Sequence, residues 1–297
     1  MGDKRIGFIG VGLMGHGMAS NIVEKGWPLT VMGHRNRAPV EDLVSRGALE
    51  AKTPREMAEA SDILFLCVTG SPQIEDLMRR SDGILAGAHD GLIVVDTSTA
   101  IPDSTISLAA ELEAKGAAMA DAPLGGTPAQ AEAGELSAMV GASPQVFAAI
   151  EPVLQAWAAK VVHLGPVGDG HKMKLLNNFL SLGYGALYAE ALAVARKVGI
   201  SAQTFDSVIR GSRMDCGFYQ TFIQYSLTGD RDVHKFTLSN AHKDLRYLAA
   251  MANEAVIANH IGAAAKNTYA YAEAIGRGGD YVPFLAEIIA EANGVKT

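Results

Sequence analysis

Six residues constrain this chain more than any others: Gly10-Val-Gly12-Leu-Met-Gly15. They follow a strand-like run at 5–9 and open a helical pattern over 13–25. In that context the glycines play distinct parts. Gly10 permits a tight turn, Gly12 lets backbone approach a pyrophosphate, and Gly15 lets the helix pack on the strand. The helix start adds unsatisfied N–H donors and the positive end of its dipole. The expectation is a dinucleotide site at the first strand-to-helix turn.

Further apolar runs at 29–32, 63–68 and 92–95, with weaker ones at 117–120, 138–140 and 161–164, alternate with amphipathic helical segments. Such alternation predicts a parallel sheet. Runs apolar at successive residues predict helices on both faces of it. After Gly165-Pro166 a 3.6-residue periodicity takes over. The fold class expected is α/β, a Rossmann-type doubly wound domain over 1–165 followed by an all-helical domain over 166–297, joined by a long helix from about 171 to 198.

Composition narrows the function. With 297 residues, 48% of them apolar, the chain can bury substantial cores, and its net charge of −7 leaves no global basic surface for a nucleic acid. The charge-free stretch 6–23 is interrupted by five glycines, so neither a membrane span nor an export signal is expected. Cys67 and Cys216 match no ligand spacing and read as reduced thiols of a cytoplasmic protein. No histidine pattern requires a metal.

The second strand ends at Gly33-His34-Arg35-Asn36-Arg37, where an NAD enzyme would usually present a carboxylate to the ribose. Glycine leaves room there for a 2′-phosphate, and His34, Arg35 and Arg37 supply charge, which points to NADP in preference to NAD; a solvated basic loop is the alternative. Asp96-Thr-Ser98-Thr99 brings hydroxyls to the carboxyl edge of the sheet, either for a ligand or to cap the next helix through Ser98, Thr99 or Asp103. Asp121-Ala-Pro-Leu-Gly125-Gly126-Thr127 offers closely spaced N–H groups suited to a carboxylate, or simply a structural turn. On the long helix, Lys174, Asn178 and Ser181 form one polar row beside Asn177. A lysine near a helix start, partly buried, is disfavoured as a cation, which is how a lysine becomes a general acid/base; a solvated surface lysine is the alternative. Tyr219, Phe222, Tyr225 and Phe236 read as helical core.

These motifs, in this order, resemble the β-hydroxyacid dehydrogenase family, the group of 3-hydroxyisobutyrate dehydrogenases, tartronate semialdehyde reductases and sulfolactaldehyde reductases. The resemblance spans nearly the whole chain and rests on the glycine motif continuing to Met18-Ala-Ser-Asn21, on Asp121-Ala-Pro with its glycine turn and Gly134-Glu-Leu-Ser-Ala-Met-Val-Gly141, on Gly168-Asp-Gly170 leading to Lys174 and Asn178, and on Lys243-Asp-Leu245. It implies a catalytic Lys174, substrate contacts from the Asp121 turn, with Gly125, Gly126 and Thr127, and from Asn178, and cofactor contacts at Leu13, Met14, Val68, Thr99 and Lys243; Ser98, Asn177 and Ser181 are read as further candidate substrate contacts and Thr69 as a further candidate cofactor contact. It also implies a homodimer or homotetramer. The activity it implies interconverts a small anionic 3-hydroxy acid and its semialdehyde. Two departures bear on the substrate: the turn hydroxyl is Thr127 rather than a serine two positions earlier, and Gly126 stands where sulfolactaldehyde reductases carry an arginine. A sulfonate would need a substitute cation, Arg213 or His171. A sulfolactaldehyde or imine reductase on the same scaffold, and a cofactor-binding regulatory protein without chemistry, remain the alternatives.

Overall fold

A computed structural model describes residues 4–295. The chain forms two compact units, one ending at Lys174 and one beginning at Leu175.

In chain order the first unit runs β1 (Ile6–Ile9), α1 (Gly15–Glu24), β2 (Leu29–Met32), α2 (Ala38–Ser45), β3 (Leu49–Ala51), α3 (Pro54–Ala60), β4 (Ile63–Leu66), α4 (Ser71–Arg79), α5 (Ile84–Gly87), β5 (Ile93–Asp96), α6 (Pro102–Glu113) and β6 (Ala118–Asp121). It continues with β7 (Leu124–Gly125), α7 (Pro128–Glu132), β8 (Leu136–Gly141), α8 (Pro144–Trp157), β9 (Ala158–Gly165) and the start of α9 (Asp169–Lys197). The sheet order is β3-β2-β1-β4-β5-β6-β8-β7, with β9 beside β8.

Every pairing from β3 to β6 is parallel, as the alternation of strands and helices predicts. Beyond β6 the sheet departs from that expectation: β8 runs antiparallel to β6 and β7 and parallel to β9. The cause is local. Pro123, which has no N–H to give a ladder, interrupts β6 from β7, and the short connection through α7 can only return the chain antiparallel.

Alternate residues of each strand enter different cores. Ile63 and Phe65 of β4 join Phe8, Met18, Ile22 and Trp157 on one face, while Leu64 and Leu66 join Met57, Ile74, Met78 and Leu112 on the other. Helices therefore cover both faces, and the domain is doubly wound. α8 starts on a local signal, Ser143 Oγ accepting from Val146 N at 3.2 Å with Pro144 in the first turn. Ser143→Ala is expected to lower stability by about 1 kcal/mol, read as a reduced denaturation midpoint with an unchanged urea slope.

The second unit takes the rest of α9, then α10 (Ala202–Ile209), α11 (Gly217–Thr228), α12 (Leu238–Glu254), α13 (His260–Ala274), a 3₁₀ turn (Val282–Phe284) and α14 (Leu285–Ala292). Tyr219, Phe222 and Tyr225 are buried in it and Phe236 packs against its core, as expected of these aromatic side chains. Leu176, Leu180, Tyr184, Leu187 and Val194 stay exposed along α9. No helix among the described residues is long and apolar enough to cross a membrane.

Candidate active site

The strand order reverses between β1 and β4, and the cleft of an open α/β sheet lies beyond the carboxyl ends of the strands at that point. Here a cavity of about 1160 Å³ opens, lined among others by Gly10, Gly12, Leu13, His34, Arg35, Val68 and Thr69. Gly10 has φ +101°, and a Cβ there would strike the Cys67 carbonyl; one on Gly15 would strike the Gly10 carbonyl. A Cβ on Gly12 would meet nothing within 4 Å, so that position faces open space where backbone can approach a ligand. The residues present thus fit a dinucleotide: a glycine turn forced by backbone proximity, an open cradle at Gly12 and a helix start behind it.

Met14 and Gly15 do not line the cavity; the Met14 side chain packs against the core instead. Thr99 also lies outside the lining.

At the end of β2 the arrangement differs from the expectation in two respects. Gly33 lines the cavity, but on one side a Cβ there would collide with the Arg37 guanidinium. A carboxylate is also present, brought by the neighbouring strand: Glu50 of β3 takes both Arg37 nitrogens, at 2.6 and 2.9 Å. Each partner stabilises the charged form of the other, raising the Arg37 pKa and lowering that of Glu50. Arg37 therefore brings no uncompensated charge and does not line the cavity, whereas Arg35 does. So does Lys52, which follows β3 and which no sequence motif singled out. Among the described residues neither Arg35 nor Lys52 has a carboxylate partner within salt-bridge distance.

Ser98 does not cap α6; the N-cap is Ile101, which has no side-chain bond, and Asp103 merely lies in the first turn. Instead the Ser98 hydroxyl accepts from Val68 N at 2.9 Å, tying the carboxyl ends of β5 and β4 together. Thr127 is also committed. It forms a capping box with Gln130 at the start of α7, Thr127 N donating to Gln130 Oε1 at 2.9 Å. Gly125 pairs with Ser137 on β8, and Gly126 has φ +133°, a conformation that favours glycine.

Asp121 explains where α9 begins. Its buried carboxylate accepts from Gly168 N and His171 N, each at 2.6 Å, satisfying two donors of the helix start. Burial pushes its pKa up, while the His171 ring and the two N–H groups oppose that rise. His171 is fully buried, its Nδ1 2.8 Å from Thr105 Oγ1, so its ring has no surface to offer a substrate sulfonate. One turn later the Lys174 ammonium donates to the Leu124 carbonyl at 2.5 Å, which places the lysine against the glycine turn.

In the second unit Asn178 is buried and donates from Nδ2 to Asp244 Oδ2 at 2.7 Å. Asn177 Nδ2 donates to Asn178 Oδ1 at 3.3 Å, and Ser181 turns back to the Asn178 carbonyl of its own helix at 3.3 Å. Lys243 Nζ stands 2.9 Å from the other Asp244 oxygen. Asp244 thus orients Asn178, a role invisible in sequence because the two lie 66 positions apart.

Comparison with known proteins agrees with this architecture. Residues 5–165 match the family model described as the NAD binding domain of 6-phosphogluconate dehydrogenase. Residues 168–285 match the one described as NAD-binding of NADP-dependent 3-hydroxyisobutyrate dehydrogenase. The chain is 31% identical to 3-sulfolactaldehyde reductase of Escherichia coli over 92% of its length and 91% of that protein's. It is also 31% identical to 2-(hydroxymethyl)glutarate dehydrogenase of Eubacterium barkeri, over 98% and 96%. The crystal structure of 3-hydroxyisobutyrate dehydrogenase from Salmonella typhimurium superposes with a TM-score of 0.87 at 26% identity, covering 96% of this chain and all of that one. With two family models spanning the chain and relatives aligned nearly end to end, the chain is a member of the β-hydroxyacid dehydrogenase family of NAD(P)-dependent oxidoreductases.

Proposed function

We propose that the chain interconverts a small 3-hydroxy carboxylate and its semialdehyde with NADP(H), and that Lys174 is the general acid/base. The observation that carries this reading is the Lys174–Leu124 hydrogen bond, which sets an amine of early α9 against the turn 124–126 at the carboxyl edge of the sheet. A bound nicotinamide would supply the hydride for reduction and accept it in oxidation. Lys174 gives its ammonium proton to the carbonyl oxygen as that oxygen becomes a hydroxyl, and takes the proton back in the reverse reaction. The turn at Gly125-Gly126 holds the substrate carboxylate, and the family resemblance assigns the hydroxyl to Asn178, whose amide donates to Asp244. Leu13, Val68 and Thr69 contact the cofactor from the cavity wall, and the family resemblance assigns a further cofactor contact to Lys243.

NADP preference is supported by Arg35, Lys52 and His34 on the cavity wall. A carboxylate rather than a sulfonate is supported by the absence of a side-chain cation at Gly126 and by the burial of His171. The exposed apolar row on α9 supports self-association.

The test is the initial rate of NADPH and of NADH oxidation with three- and four-carbon aldehydes bearing a carboxylate, a sulfonate or no acid. Fast NADPH oxidation confined to carboxylate semialdehydes is expected. A sulfonate preference would overturn the reading of the turn, and an NADH preference the reading of Arg35.

A further inference from the structure

His16 bridges two carboxylates. Its Nδ1 is 2.9 Å from Glu132 Oε1 on α7 and its Nε2 is 2.9 Å from Asp42 Oδ2 on α2. A neutral imidazole has one N–H and can satisfy only one of them; the imidazolium donates to both.

The place of this bridge gives it meaning. α7 is five residues long and follows directly on Gly125-Gly126-Thr127, so whatever fixes α7 fixes that turn. α1 begins at the dinucleotide motif. Between the two helices Gly17 leaves no gap, since a Cβ there would lie 2.5 Å from the Glu132 nitrogen, and Asn21 Nδ2 donates to the Ala131 and Glu132 carbonyls at 3.1 Å each. His16 adds the ionic contact at the cavity rim, where His16 and Glu132 both line the wall.

We propose that His16 is a positioning residue, a latch that holds α7 and the glycine turn in register with the dinucleotide loop. The proposal rests on the turn being the carboxylate site. The charged groups facing the ring are Asp42 from α2, which also pairs with Arg46, and Glu132 from α7. Burial alone would lower the His16 pKa, but the hydrogen bonds and charges of Glu132 and Asp42 outweigh it and raise it. A cation stabilised in this way contributes fully below the unfolded histidine pKa, and its contribution is lost as pH rises through the higher folded value. The latch is therefore closed on the acid side of that value and opens toward alkaline pH.

Two measurements test it, one of them independent of turnover. Amide hydrogen exchange over 126–133, corrected for intrinsic rates, should show opening that increases roughly two- to fivefold as pH rises from about 6 to about 9.5, the size expected of a half-exposed ion pair. Glu132→Gln should show the opened level throughout, and Asp42→Asn should keep the pH dependence. His16→Arg, a permanent cation, should remove the pH dependence while retaining protection. In turnover, Glu132→Gln should raise KM for the carboxylate substrate by a similar factor with kcat little changed. Exchange that is flat with pH in the wild type, or equal in Glu132→Gln and Asp42→Asn, would overturn the latch. Loosened exchange with unchanged KM would overturn its role in the reaction. If no aldehyde is turned over, the reading of the turn fails while exchange still decides the latch.

Discussion

Lys174→Ala is expected to lose about 10²–10⁴-fold in kcat, the usual cost of removing a general acid, while NADPH still binds. Fluorescence titration of NADPH and initial rates on the same preparation check both halves. The substitution also deprives the Leu124 carbonyl of its donor, so the glycine turn loses a tie and KM should rise as well. Lys174→Arg separates the two effects: a guanidinium can reach the carbonyl but does not release its proton in this pH range, so it should restore KM and leave kcat low. Near-wild-type turnover in Lys174→Ala would remove the lysine from the chemistry.

The second large effect is on cofactor choice. Arg35→Ala should weaken NADPH by roughly 10–100-fold, as expected for a lost charge-assisted contact to phosphate, and leave NADH unaffected. Lys52→Ala should act in the same direction, both residues being on the cavity wall. Arg37→Ala should do little, because Glu50 already occupies its guanidinium. Dissociation constants for both cofactors with the three variants test this; equal losses for NADPH and NADH would mean that Arg35 shapes the cleft rather than reading a phosphate.

What could be read from the sequence divides along physical lines. Strands β1, β2, β4 and β5 announce themselves because a strand covered on both faces is apolar at consecutive positions. β3, Leu49-Glu-Ala, is three residues long with one buried, and β7 is two residues after a proline; neither is long enough to show a period. Gly10, Gly12 and Lys174 belong to local motifs, so their surroundings follow from neighbouring residues. Contacts made by folding distant segments together left no such trace. Glu50 reaches Arg37 from the next strand, Asp121 reaches the start of α9 across 47 positions, and Glu132 reaches His16 across 116. Thr127 is instructive in another way: Thr-Pro-Ala-Gln is a capping box in plain sight, yet it reads as a substrate hydroxyl when the turn is viewed only as a ligand site.

The Arg37–Glu50 bridge has an evolutionary consequence. It keeps a full positive charge in reserve beside the β2 end, masked by a residue that lines no part of the cleft. Replacing Glu50 by a neutral residue would unmask that charge without changing the residues of the cavity wall, whereas replacing Arg37 would free only a carboxylate that lies outside the cleft. Drift at position 50 thus adds positive charge beside the end of β2 in a single step, from outside the cleft lining and with Arg35 and Lys52 left in place.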